Sequence, residues 1–206
     1  MYSYFLRALL TLAVLLMTAC SEAPSTAPAG TQSAGPATPV SGKTAFWAMY
    51  KSAYSWANDI VPLKLESKDL PGVKNDGGDA GMWSATFGSY KRHQAVVITY
   101  AVAAHPPDIY KGTSPSNPVP WPGPARDVMP FQSSDLVVDS DAAYKTALDQ
   151  ASSWLKSHPD KEASIVMGND PTKFSTPVWH VQWGDNKSGY FVFVNAKTGA
   201  LAKPGK

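Results

Sequence analysis

Few residues in this 206-residue chain have the types and spacings that catalysis or metal binding requires. Its four histidines are isolated, because none lies three to five residues from another, the spacing that brings two imidazoles to one metal ion. The sequence also has neither the G-x-S-x-G turn of serine hydrolases nor a G-x-x-x-x-G-K-[ST] phosphate loop. We therefore predict that the protein is not an enzyme and that it holds no metal and no cofactor. The histidines are His93, His105, His158 and His180.

Two places carry polar groups with some capacity to bind. Residues 75–79 (NDGGD) offer the oxygen ligands that calcium prefers, but the EF-hand spacing and its distal Glu are missing, so the sequence favours a solvated loop. His180 alternates with Trp179 and Val181, which places it on the polar face of a predicted strand. There we expect contact with solvent or a hydrogen bond rather than a metal.

Three aromatic residues are the best candidates for contact with a partner. Trp47 and Trp121 are not required by any packing pattern, and Tyr110 lies with Trp121 in a proline-rich stretch. That stretch is expected to lie over the sheets as a plain crossover, and the alternative is that it presents both rings to a partner. The other five tryptophans fall on predicted inward faces and are expected in the core. These five are Trp56, Trp83, Trp154, Trp179 and Trp183.

The only cysteine, Cys20, follows an apolar run at the amino terminus. A lone cysteine excludes an internal disulfide and supplies too few thiolates for a zinc or iron–sulfur site. The run, residues 8–17 (ALLTLAVLLM), has ten residues, whereas a membrane-spanning helix needs about 20 apolar residues. A short apolar run that follows the positive charge of Arg7 indicates a cleavable signal peptide.

Residues 16–20 (LMTAC) resemble the lipobox of bacterial lipoproteins, although Met17 stands where leucine is usual. The resemblance implies removal of residues 1–19, acylation of Cys20 and attachment to a membrane through that lipid. Ser21 stands where aspartate would favour the inner membrane, so the resemblance implies an outer membrane, facing the periplasm. The alternative is a secreted protein in which Cys20 is incidental.

The composition separates a flexible stretch from a folded part. Residues 20–43 are nearly all Ala, Pro, Ser, Thr and Gly, which predicts a flexible tether, so the folded part is expected to begin near Thr44. The whole chain is 44% hydrophobic and 17% charged, as globular proteins are. Its net charge of +2 is too small for the basic field that nucleic-acid binding needs, so we expect no nucleic-acid partner.

The folded part is predicted to contain two copies of one structural unit. Residues of a first repeat recur in a second at offsets of 98 and then 96, although chance similarity of two amphipathic segments is an alternative. We predict a first repeat over residues 44–104, a proline-rich crossover over residues 105–138 and a second repeat over residues 139–206. The matched pairs include Ala45/Ala143, Ala53/Ala151, Trp56/Trp154, Trp83/Trp179, Ala85/Val181, Val96/Val192 and Ile98/Val194.

Each predicted repeat begins with a helix and continues as an antiparallel meander, which gives an α+β fold with the helices on one sheet face. The first helix has an apolar stripe from Phe46 to Ile60. The second is capped by Ser140 and ends near Ser157, because Pro159 disfavours a helical residue before it. The predicted strands are residues 83–87, 94–103, 163–167, 177–183 and 190–195.

The last of these strands, residues 190–195 (YFVFVN), is apolar on both of its faces. In an antiparallel sheet with one face exposed to solvent, a strand does not need apolar residues on both faces. We expect the sheets of the two repeats to pack together or to join edge to edge. The alternative is that one face of this strand is a binding surface.

Residues 192–201 (VFVNAKTGAL) resemble the closing hairpin of PepSY-type domains, in which a strand runs into a D-A-x-T-G turn. Asn195 stands where aspartate is usual. The second repeat fits that family in length and element order, whereas the first keeps only the helix and the tryptophan strand. The resemblance implies a small non-catalytic module for binding or inhibition, and it carries over no catalytic residue.

These observations together predict a non-catalytic envelope lipoprotein that binds, inhibits or regulates another periplasmic or envelope component. Because PepSY-type modules occur in protease propeptides, a protease is one such partner. Two other classes stay open. One is a carrier that holds a small ligand in a cleft between the repeats, and the other is a cell-envelope hydrolase whose residues meet only in space.

Replacement of the cysteine tests the lipid anchor. We expect Cys20→Ala to move the protein from the membrane fraction to the soluble fraction, because the acyl chains that hold it there are lost. The matched control, Ser21→Ala, keeps the thiol and should stay with the membranes. Membrane fractionation in which Cys20→Ala also stays with the membranes would contradict the anchor.

Overall fold

The computed structural model describes residues 37–205, which form two α-helices, one short 3-10 helix (Ser133–Asp135) and nine strands. Helix α1 spans Gly42–Trp56 and helix α2 spans Ser140–Ser157. The predicted signal peptide, Cys20 and most of the tether lie outside the described residues, within which no helix is long and apolar enough to cross a membrane. The strands are β1 Ile60–Lys68, β2 Met82–Ser89, β3 Gln94–Ala101, β4 Gly112–Pro115, β5 Val119–Pro120, β6 Ala163–Gly168, β7 Val178–Trp183, β8 Tyr190–Asn195 and β9 Leu201–Ala202.

All of these strands belong to one antiparallel sheet. Its order is β4-β3-β2-β1-β6-β7-β8-β9, and β5 also pairs with β3. The two halves of the chain meet at the centre, where β1 pairs with β6 and Glu66 lies opposite Val166. The predicted mixed α+β class with an antiparallel sheet is confirmed, and the halves join edge to edge.

The core lies between the helices and one face of the sheet. Alternate strand residues on this face are buried together with residues of both helices in one cluster. Trp83, Trp179 and Trp183 are almost fully buried, as predicted, whereas Trp56 and Trp154 are only partly buried in the last turns of their helices. Burial of an indole removes roughly 150–250 Å² from water, which contributes about 4–6 kcal/mol by apolar transfer.

Two of these indoles tie the sheet to the helix starts. Nε1 of Trp83 donates to the carbonyl of Val40 at 2.9 Å, and Nε1 of Trp179 donates to the carbonyl of Val138 at 3.0 Å. Val40 and Val138 each lie two residues before the first residue of a helix. The same hydrogen bond therefore holds the chain where it enters α1 and where it enters α2.

The two helix starts meet at a buried contact between the halves. The amide of Gly42 donates to Oγ of Ser140 at 2.7 Å, and the next amide of α1 donates to the Asp139 carboxylate at 2.9 Å. Gly42 leaves little room for a side chain, because a Cβ there would lie 3.0 Å from the ring of Trp179 and 3.1 Å from that of Trp83. The residues that begin α2 thus cap the first turn of α1.

The helix boundaries agree with the sequence at one end and differ at two others. α2 ends at Ser157, as predicted. Its N-cap is Asp139, so the prediction of Ser140 as the cap is wrong, because the Ser140 hydroxyl is engaged by α1. α1 ends at Trp56, and Ile60, which the sequence placed on its apolar stripe, begins β1 instead.

Four strands, β1, β4, β5 and β9, are not among the strands predicted from the sequence. β1 contains Pro62, which lacks the amide hydrogen that an inner strand donates, and the structure accommodates it beside a bulge between Pro62 and Lys64. β4 and β5 lie within the predicted crossover, residues 105–138, and add to the edge of β3. β9 is only two residues long.

The connecting turns of the two halves differ in length by two residues. Four residues connect β2 to β3, and six connect β7 to β8. Ile98 lies opposite Ala85, and Val192 lies opposite Val181, the residue matched with Ala85 at the offset of 96. Ile98 therefore corresponds to Val192 in the sheet, so the predicted matches of Ile98 with Val194 and of Val96 with Val192 are both wrong by two positions.

Removal of the Ser140 hydroxyl tests the contact between the helix starts. We expect Ser140→Ala to lower the free energy of unfolding by about 1–3 kcal/mol, because the buried amide of Gly42 loses its acceptor. Ser152→Ala, on the exposed side of the same helix, is the matched control and should leave stability nearly unchanged. Urea denaturation that gives equal stabilities for the two variants would contradict this role.

Candidate functional site

One face of the sheet carries neither helix, and its two halves differ in chemistry. A single row of residues in register crosses this helix-free face. Its positions in the first half are polar, and its positions in the second half are apolar or aromatic. The row runs Ser114, Thr99, Ser84 and Glu66, then Val166, His180, Phe193 and Ala202.

Four rings of the second half contact each other on this face, and we call them the aromatic face: Phe174, His180, Phe191 and Phe193. The rings of Phe174 and Phe193 are 4.7 Å apart, and His180 stacks on Phe193 at 4.7 Å. Phe191 lies 5.6 Å from Phe193 and is 57% exposed. Phe191 is therefore the ring of the aromatic face that is most exposed to solvent, whereas His180 and Phe193 are half-buried and Phe174 is buried.

A groove with a volume of about 290 Å³ lies beside the aromatic face, where the two halves join. Its lining combines apolar side chains with two lysines that are each paired to an acid. Lys173 contacts Asp170 at 2.9 Å, and Lys64 contacts Glu66 at 2.8 Å. The groove thus offers an apolar surface with little unbalanced charge. Its apolar and aromatic lining includes Leu63, Val128, Val166, Phe174, Val178, His180 and Phe193.

His180 is enclosed by this surface. Its Nε2 atom is buried and has no hydrogen-bond partner among the described residues. Burial, and to a smaller extent the positive charge of Lys173, lowers the pKa of His180 below its usual 6.5, so the ring is neutral at pH 7. The prediction of a polar strand face around His180 is wrong, because its neighbours are Phe191 and Phe193. A buried polar atom without a partner is rare in native proteins and costs about 1–3 kcal/mol.

Glu66 marks the boundary between the polar and the apolar halves of the helix-free face. Burial disfavours its charge, but hydrogen bonds and charge from Lys64 and Lys68 outweigh that effect and lower the pKa of Glu66. The lysine ammonium groups lie 2.8 Å and 2.7 Å from its carboxylate oxygens. Glu66 therefore stays ionised next to Val166, and the change of chemistry across the sheet is abrupt.

The acidic loop, residues 75–79, is partly exposed and packs partly against the start of α2, where a Cβ at Gly78 would lie 2.6 Å from the backbone of Asp141. Asp76 and Asp79 exchange backbone hydrogen bonds of 3.0 Å and 2.8 Å. Burial, followed by the nearby carboxylates of Asp141 and Asp139, raises the pKa of Asp79. A polar groove of about 340 Å³ lies beside the loop. Within residues 37–205, no group of three or more His, Cys, Asp or Glu is placed to hold a metal ion.

The three aromatic residues proposed from the sequence as partner contacts lie on separate elements. Trp47 is on α1, is 46% exposed and contacts the ring of Tyr50 at 5.5 Å. Tyr110, which is 66% exposed, precedes β4. Trp121 follows β5, and its ring lies 5.1 Å from that of Tyr90. Contact of these three with a partner stays a prediction.

A serine–histidine contact at the end of α2 has a structural explanation. Oγ of Ser157 lies 3.1 Å from Nδ1 of His158, and both atoms are 2.9 Å from the carbonyl of Trp154. The imidazole also stacks on the Trp154 indole at 3.9 Å. These contacts satisfy a carbonyl in the last turn of the helix, a common role for polar side chains at that position.

The sequence contains one signal for the aromatic face, the double apolar pattern of residues 190–195. That pattern indicates Phe191 and Phe193 as either covered or binding residues. It does not indicate His180, which lies between Trp179 and Val181 in β7, or Phe174, which lies in the loop before β7. These two residues join the surface only through strand pairing and loop packing.

Comparison with known proteins finds little similarity. No protein-family model matches the chain, and no curated protein matches it. A solved structure, "putative lipoprotein (CD1622)" from Clostridium difficile 630, matches with 11% sequence identity and a TM-score of 0.45. The match covers 81% of this chain and 91% of the other.

The pH dependence of stability tests the environment of His180. Because its pKa in the folded chain is below 6.5, the unfolded chain takes up the proton first as the pH falls. We therefore expect the free energy of unfolding to decrease below about pH 6.5 and to level off below the folded-state pKa. His180→Gln should lose this decrease, as measured by urea denaturation between about pH 5 and pH 8.

The control for this test is His105→Gln, at an exposed position, which leaves His180 in place and should keep the wild-type profile. Equal pH profiles for wild type and His180→Gln would contradict the inferred burial of a neutral imidazole.

Proposed function

We propose that the protein is a bacterial envelope lipoprotein, anchored through Cys20, that acts without catalysis by binding another periplasmic or envelope component at the aromatic face. The membrane contact is the lipid, and the outer membrane, on its periplasmic side, is the proposed location. Inhibition or regulation of the bound component, such as a protease, is the form of action that the resemblance to PepSY-type modules implies.

One observation carries this proposal: Phe191 is 57% exposed on the sheet face opposite helices α1 and α2, in contact with Phe193. Large exposed apolar patches are uncommon in soluble monomers and often mark binding surfaces. Stability of the sheet does not require aromatic residues there, because the first half has Thr99 at the position of Phe193 and Val97 at the position of Phe191.

We also propose that the two halves are copies of one PepSY-like module. Three features of the structure support this. Each half has a helix followed by antiparallel strands, and in each half an indole donates to the carbonyl two residues before its helix. At the join, β1 and β6 are the first strands of their halves, and they pair with each other.

A second candidate function is the transport or storage of a small ligand, and the groove between the halves favours it. Its volume of about 290 Å³ is at the lower end of the range for small-molecule sites. Its apolar lining would suit a compact apolar molecule. Native mass spectrometry of the purified chain would favour this class by detecting a co-purified molecule. A cell-envelope hydrolase is the third and least supported class.

Affinity capture from detergent-solubilised envelopes tests the proposed function. We expect the wild-type chain to retain an envelope component that Phe191→Asp retains at least about tenfold less, because a charge replaces the exposed apolar ring. The matched control is Tyr54→Asp, which introduces the same charge at a residue of α1 that is 56% exposed. It should capture as wild type does.

Two outcomes would contradict the proposal. One is that Phe191→Asp and wild type capture the same components in equal amounts. The other is that Tyr54→Asp loses capture as strongly as Phe191→Asp, because the effect would then not belong to the aromatic face.

A further inference from the structure

The outer edges of the two halves of the sheet are occupied to different extents. In the first half, β3 is covered along its length by β4 and β5. In the second half, β9 pairs only with Phe193 and Val194 of β8. Within residues 37–205, no strand therefore lies beside the first part of β8, from Tyr190 to Val192.

The backbone groups at this open edge can be identified from the register. Val97 lies opposite Thr86 in the first half, and Phe191 lies opposite Gln182 in the second. Because Thr86 and Gln182 are matched at the offset of 96, Val97 and Phe191 occupy corresponding positions in the two halves. The amide of Asn195 donates outward to the carbonyl of Ala200. Because backbone groups of alternate residues point to the same side of a strand, the amide and carbonyl of Phe191 also point outward.

In the first half these outward groups are both bonded to one residue. Val97 donates its amide to Oγ of Ser116 at 3.1 Å, and its carbonyl accepts the amide of Ser116 at 2.7 Å. Among residues 37–205, the open edge at Phe191 thus lacks a partner like the one that Ser116 supplies at Val97.

The segment that covers β3 is extended and rich in proline. It continues from Ser116 through β5, and the amide of Trp121 donates to the carbonyl of His93 at 2.8 Å. The indole of Trp121 lies over the helix-free face at Gly88, where a Cβ would come within 2.6 Å of the ring. The chain therefore already contains one example of a proline-containing segment held by backbone hydrogen bonds and an apolar contact at a sheet edge.

We propose that the edge of β8 binds an extended, proline-containing peptide segment of the partner as an added antiparallel strand, with its apolar side chains on the aromatic face. This inference rests on the proposed binding function and names the chemistry of the partner. Addition of a strand supplies backbone hydrogen bonds, and aromatic rings are suitable surfaces for proline and other apolar side chains. A peptide with the pattern of residues 116–121 (SNPVPW) satisfies both requirements.

A synthetic peptide of residues 115–124 (PSNPVPWPGP), added to the full chain, tests the inference. We expect it to shift the backbone amide resonances of Tyr190, Phe191 and Val192 in a saturable way. Phe191→Asp should weaken this binding at least about tenfold, through loss of the apolar contact. Tyr54→Asp should bind as wild type does.

Two altered peptides separate strand addition from simple apolar contact. A peptide with an N-methyl group on the amide of Ser116 lacks the donor that pairs with the strand edge, and it should bind at least about fivefold more weakly. A peptide with Val119→Ser and Trp121→Ser keeps that donor and loses the apolar side chains, and it should also bind more weakly.

Several results would overturn the inference. These are no saturable shift at β8, shifts confined to β3, binding that Phe191→Asp leaves unchanged, or concentration-dependent shifts at β8 without peptide, which would assign the edge to a second copy of the chain. If the peptide fails while Phe191→Asp still abolishes capture from envelopes, the proposed function stands and only the partner's chemistry is wrong.

Discussion

The pairing of β1 with β6 is the interaction on which the rest of the structure depends. It joins the two halves through Glu66 and Val166 into one sheet, and the contact of Gly42 with Ser140 holds both helix starts on the same side of that sheet. A sheet that is covered on one face by helices has a second face that must be either polar or occupied. The arrangement of the halves therefore creates the surface at which function is proposed.

The two halves use that second face differently. The first half fills its row with Thr99 and Ser84 and covers the outer edge of β3 with its own proline-rich segment. The second half carries Phe193 and Phe191 at the corresponding strand and has no such segment beside Phe191 among the described residues. Similar backbones thus give one closed and one open edge, which is what a binding role for one half requires.

The sequence predicts those features that depend on local pattern. It gives the end of α2 at Ser157, because a proline follows closely, and it places Trp83 and Trp179 in the core by alternation. It fails where distant residues decide. The central strand β1 is not predicted, and its Pro62, which lacks an amide donor, is accommodated by a bulge that only strand pairing shows. The role of Ser140 is predicted wrongly, because the amide that bonds to it, that of Gly42, is 98 residues away in the sequence.

Site-specific photo-crosslinking in cells tests the central claim most directly. A photoreactive aromatic amino acid at position 191, with position 54 on α1 as the equally exposed control, reports what lies against each surface. The account predicts a discrete covalent adduct with an envelope component at position 191 and none at position 54. Adducts of equal yield at both positions, or at position 54 alone, or none at 191, would contradict it.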